Sequence, residues 1–126
     1  MSDTMSKWNS NSGDIEPAGD TRVRPLMYGY LRLDLLTASE AARCAAQLEA
    51  FAGEHGYEFG AVFHEPSPQT WSVPQAFVEL VHACRRSGAQ MVVTLAGHLS
   101  GMGMPRTCLL DFLTARGNAQ LMELPA

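Results

Sequence analysis

The chain reads as an α/β layer protein built on a mainly parallel sheet, and three observations predict this. Short apolar runs of strand length alternate with stretches of helical period, in the order βαβαβαβ. The helical stretches open on capping or proline chemistry and end at Gly56, Gly88 and Gly117. One strand, around Met91-Val92-Val93, is continuously apolar, as a strand covered on both faces must be.

Each element can be justified in order. Leu26 to Leu33 is an apolar, aromatic-rich run that predicts the first strand. Thr37-Ala38-Ser39-Glu40 has capping-box spacing and opens a helix to about His55, with Ala41, Ala45, Leu48 and Ala52 on its buried face. Tyr57 to Phe63 is the second strand, broken by Glu65-Pro66-Ser67-Pro68. Ser72-Val73-Pro74-Gln75 resembles a second capping pattern. The helix that follows carries Phe77, Leu80, Val81 and Cys84 inward and closes with Arg85 and Arg86 where the helix dipole favours cations. Ala89 to Leu95 is the third strand, and a glycine-rich loop runs from Ala96 to Met104. Pro105 begins a third helix, expected to stop at Gly117, and Ala119 to Leu124 is the last strand.

Residues 1–24 stand apart, since Ser, Asn, Asp, Gly and Thr dominate and the few apolar residues, Trp8 among them, have no period. They are expected to form a flexible tail preceding one domain over 25–126. Composition excludes several classes. The 9 Lys+Arg against 13 Asp+Glu, a net charge of −4, argue against a chain that grips a nucleic-acid backbone unaided. Cys44, Cys84 and Cys108 are widely separated and make no metal-ligand spacing, which suits a reducing cytoplasm. His55, His64, His82 and His98 form no i,i+4 pair, so neither a metal nor a cofactor is expected. No apolar run reaches the roughly 20 residues of a membrane span, and the expected location is cytoplasmic.

In a parallel sheet, sites gather at the carboxyl ends of the strands. Tyr30-Leu31-Arg32-Leu33-Asp34 at the end of the first strand, Ala46-Gln47-Leu48-Glu49-Ala50-Phe51 on the first helix, His55-Gly56-Tyr57-Glu58 at the turn into the second strand and Ala96-Gly97-His98-Leu99-Ser100-Gly101 after the third strand follow an order and spacing that resemble the catalytic domain of the serine recombinases, the resolvase and invertase family. The resemblance covers about Leu26 to Pro125. It implies a three-layer, resolvase-like domain with a mainly parallel four- to five-stranded sheet flanked by helices. The family cleaves DNA with a serine nucleophile surrounded by arginines that neutralise phosphorane charge.

The departures from the family pattern are as informative. Asp34 stands at the serine position, Val73, His98 and Gly101 at arginine positions, and Gly97 at an aspartate position. Of the family set, Arg32 and Gln47 remain. The long dimerisation helix and the DNA-binding module that follow the family's last strand are not expected here.

The resemblance therefore implies a vestigial site of Tyr30, Arg32, Asp34, Gln47, His98 and Ser100 that does not catalyse recombination. The first functional expectation is an inactive recombinase-like domain acting by contact with an unknown protein partner or a second copy, regulatory or accessory to DNA transactions. Direct DNA binding by the chain alone is not expected. Leu99, Met102 and Met104 are candidates for an exposed interaction patch. The alternative is a small-molecule or anion-binding protein or enzyme that reuses the strand-end pocket around Arg32, Asp34, Gln47 and His98. Arg32 and Asp34, two apart on a strand, would share a face and form an ion pair.

Overall fold

The structure, a computed structural model, describes residues 24–68 and 73–125. The expected tail with Trp8, and the capping residue Ser72, lie outside the described residues. Four strands, β1 (Leu26–Arg32), β2 (Glu58–Glu65), β3 (Met91–Leu95) and β4 (Gln120–Leu124), form one sheet in the order β2-β1-β3-β4. Every neighbouring pair is parallel. Helices α1 (Ala38–Glu54), α2 (Gln75–Ser87) and α3 (Arg106–Phe112) make the crossovers.

Side chains alternate across the strands, and this sorts the core into two layers. Met27, Leu31, Val93 and Leu95 pack with Leu48 and Ala52 of α1 on one face. Tyr30 and Val92 pack with Phe77, Leu80 and Val81 of α2 and Leu109 and Leu113 of α3 and the turn after it on the other. Val92 and Val93 thus face opposite layers, which accounts for the unbroken apolar run of β3. Gly29 makes room for α1: a Cβ there would lie 2.9 Å from the Phe59 ring and 3.0 Å from Leu48.

The capping box of α1 is formed as expected. Glu40 N–H donates to Thr37 Oγ1 at 3.2 Å and Thr37 N–H to the Glu40 carboxylate at 2.8 Å. Two other helix ends differ from expectation. The N-cap of α2 is Pro74, which supplies no side-chain acceptor. The buried carboxylate of Glu65, at the tip of β2, accepts from Ala76 N–H at 3.2 Å and Phe77 N–H at 3.1 Å instead. After α3 the chain makes a π-helical turn over Leu113–Gly117, and the left-handed residue that ends it is Asn118 (φ 55°), not Gly117. Gly117 is needed for packing, since a Cβ there would meet the Val81 carbonyl at 3.3 Å.

The direction of the crossovers locates the working end of the molecule. From β1 the chain moves to one edge through α1, and from β2 it crosses back over β1 through α2 to reach β3. The connections diverge between β1 and β3, so the loops leaving their carboxyl ends part there and leave a crevice.

Candidate functional site at the carboxyl ends of the first and third strands

Strand β1 ends at Arg32 and passes into a 3-10 turn, Leu33–Leu35. Asp34 therefore sits in the turn and not on the strand. The ion pair forms because the turn folds the carboxylate back onto the guanidinium. Arg32 Nε donates to Asp34 Oδ1 at 3.0 Å and Nη2 to Oδ2 at 2.9 Å, a bidentate pair. Nη1 donates to the Ser100 carbonyl at 2.6 Å and to the His98 carbonyl at 3.4 Å. The Arg32 side chain is 6% exposed and that of Asp34 27%. Arg32 holds the Asp34 carboxyl below the usual carboxylate range by direct hydrogen bonding.

The loop after β3 is built around the same arginine. Gly97 takes φ +90° and Gly101 φ +75°, left-handed values that turn the chain sharply on either side of His98. His98 is buried, and its Nδ1 accepts from the Arg32 backbone N–H at 2.9 Å. That bond fixes the tautomer of the neutral ring: Nε2 carries the hydrogen. Burial pushes the His98 pKa down, and the Arg32 cation adds to this against a smaller opposing pull from Asp34. Ser100 contributes its carbonyl only.

The other expected residues are distributed as follows. Tyr30 lies within the core; its hydroxyl donates to Glu65 Oε1 at 2.7 Å, and its ring meets Phe77 edge-on at 5.3 Å. Gln47 is exposed on α1 and shares a cleft of about 440 Å³ with His98, bounded by Arg43 on the same helix. The exposed patch expected from Leu99, Met102 and Met104 is corrected: Leu99 is fully buried, and both methionines pack against the α2/α3 core. The loop is anchored because Leu99 points into that core. Among the described residues, the large apolar side chains exposed at this end are Leu33, Leu35 and Val73, and the first two, 37% and 49% exposed, lie beside Arg32 and Asp34. Of the four histidines, His55 bonds the Phe51 carbonyl from the end of α1, and His64 lies within β2, which β1 separates from β3, the strand that precedes His98.

Sequence reasoning missed Glu65 and Arg43. Arg43 lies four residues before Gln47, so helical spacing already put the two on one face. Nothing local linked Glu65 to a helix that starts ten residues later. Among the described residues, no cluster of three His, Cys, Asp or Glu side chains could hold a metal ion, and no helix is long and apolar enough to cross a membrane.

No protein-family model matches the chain, and no curated protein matches it significantly in sequence. The solved structures do contain a match. The C-terminal catalytic domain of ISC1926 TnpA, an IS607-like serine recombinase, superimposes with a TM-score of 0.63 over 80% of this chain and 69% of that one, at 13% identity. The fold is that of a serine recombinase catalytic domain. On this recombinase fold, Arg32, Asp34 and His98 are drawn together at the ends of β1 and β3, and of these three His98 shares a cleft with Gln47 of α1.

Proposed function

We propose that this chain is a catalytically inactive serine-recombinase-like domain that works through protein–protein contact, in a regulatory or accessory role in DNA transactions. The state of Arg32 carries this reading. A guanidinium that stabilises a phosphorane must offer N–H groups to the incoming phosphate. Four of the five N–H groups of Arg32 are already spent on Asp34 and two carbonyls. Asp34, at the position the family gives to serine, stays ionised at neutral pH and would repel a phosphodiester. The net charge of −4 adds no attraction for a nucleic-acid backbone. Leu33 and Leu35, exposed beside this site, are the surface to which the contact reading points.

Incubating the full chain with supercoiled plasmid tests the inactive half of the proposal. The expected result is no nicked or linear product and no covalent protein–DNA adduct. Cleavage that disappears in Asp34→Ala or Ser100→Ala would overturn it. Sedimentation over a concentration series tests the homodimer form of the contact, and a chain that stays monomeric at its solubility limit removes that form.

The second reading, ligand binding in the strand-end pocket, is favoured by the cleft beside His98. The expected ligand set divides there: Arg32 and Asp34 satisfy each other, whereas Gln47 and His98 line open space.

A further inference from the structure

We infer that the cleft between α1 and the β3–α3 loop is a binding site for a small monocarboxylate with an apolar body, held by Arg43, Gln47 and the Nε2–H of His98. Two independent observations support it. The first is the cleft itself, about 440 Å³ and within the range of small-molecule sites. Leu35, Leu36, Leu95 and Ala96 line it with apolar surface, and Arg43 and Gln47 stand one helical turn apart at its rim.

The second is an unmet donor. His98 is 4% exposed and lines the cleft. Its Nδ1 is spent on the Arg32 backbone, and Nε2–H has no partner among the described residues. A buried N–H without an acceptor is unfavourable, and a ligand oxygen relieves it. Because burial keeps the ring neutral, it donates without adding charge. Arg43 is then the one cation among the groups lining the cleft, and Glu40, ionised and engaged in the α1 capping box, is the one anion. Arg43 offers a carboxylate its charge-assisted donors, and with Glu40 nearby and no second cation in the lining, a phosphate dianion meets uncompensated charge there. The apolar lining calls for a hydrocarbon or aromatic body on the other side of the carboxylate.

The inference does not depend on inactivity toward DNA, so the plasmid assay and the titration that follows can fail separately. The full chain, isotopically labelled, is titrated with benzoate and with 4-methyl-2-oxopentanoate at constant ionic strength, and backbone amide shifts are followed. Saturable shifts at Cys44, Gln47, Gly97 and His98 are expected. Affinity should fall about tenfold in Arg43→Gln, because a charge-assisted hydrogen bond is lost. Arg43 and Gln47 are exposed, so Arg43→Gln and Gln47→Ala should both keep the wild-type spectrum outside the cleft. Phenyl phosphate, a dianion of similar shape, should bind more weakly than benzoate. The proposal is overturned if neither carboxylate saturates, if the shifts lie elsewhere, if Arg43→Gln binds as wild type, or if phenyl phosphate binds more tightly.

Discussion

At the scale of single residues, one hydrogen bond shapes the working end of the molecule. Arg32 N–H donates to His98 Nδ1, and with Arg32 Nη1 on the Ser100 carbonyl it ties β1 to the loop after β3. A histidine used as an acceptor must stay neutral, which gives the fold a predictable pH dependence. The folded-state pKa of His98 lies below its ordinary value of 6.5, so the unfolded chain binds the proton first as pH falls. The stability contributed by the neutral ring is complete above about pH 6.5 and is lost as pH drops from there through the folded pKa. His98→Asn places a non-titrating oxygen near the Nδ1 position. Urea unfolding of both proteins between about pH 8 and about pH 5 should show wild type losing its advantage over the variant on acidification. A difference that stays constant with pH would show that the ring does not titrate as described. The Asp34 carboxyl, also lowered, acts in a separate window below its ordinary 3.8.

The same economy operates between elements. Glu65 ends β2, and its buried carboxylate accepts from Tyr30 on β1 and from two backbone N–H groups at the start of α2. It serves as the cap that Pro74 cannot be, and it favours the positive end of the helix dipole. Removing it leaves two helix N–H groups without that acceptor and the Tyr30 hydroxyl with only the weakly accepting Met102 sulfur at 3.6 Å. Glu65→Ala should therefore cost about 3 kcal/mol in chemical denaturation, and Tyr30→Phe, which removes a single donor, about 1 kcal/mol. Because the two side chains share a bond, the double variant should lose less than the sum. Strict additivity would mean that the Tyr30–Glu65 bond contributes nothing to stability. The sequence shows a glutamate before a proline and nothing more. Its role depends on a helix N-terminus delivered by a connection that passes through residues 69–72.

For the molecule as a whole, the two core layers close over thiols of different accessibility. Cys84 is 1% exposed in the α2/α3 layer, and burial pushes its thiol up to about 11, whereas Cys108 on α3 is exposed. Thiolates are the reactive species, so Cys84 should alkylate only when the layer opens. Mass-resolved alkylation near pH 8 should label Cys108 without denaturant and Cys84 only along the global unfolding transition. Labelling of both at similar rates in native buffer would show that the α2/α3 layer opens locally. The expected fold class, the strand and helix order and the recombinase likeness all agree with the four-stranded parallel sheet and with a TM-score of 0.63 to a serine recombinase catalytic domain.

Elements were legible in the residues because their causes are local. Capping at Thr37 and Glu40, the αL glycines Gly56 and Gly88, and the apolar run of β3 each act within a few positions. The resemblance drew attention to Arg32, Asp34, Gln47 and His98 for the same reason: three lie at or just past the end of a readable strand, and Gln47 lies within a readable helix. What those residues do to one another was decided by the tertiary structure. The 3-10 turn after β1 closes Asp34 onto Arg32, and the burial of Leu99 brings the His98 ring against the Arg32 backbone. These contacts join residues up to 68 positions apart. Such pairings depend on which strands become neighbours and which face a loop buries, and neither is written into the spacing of any one segment.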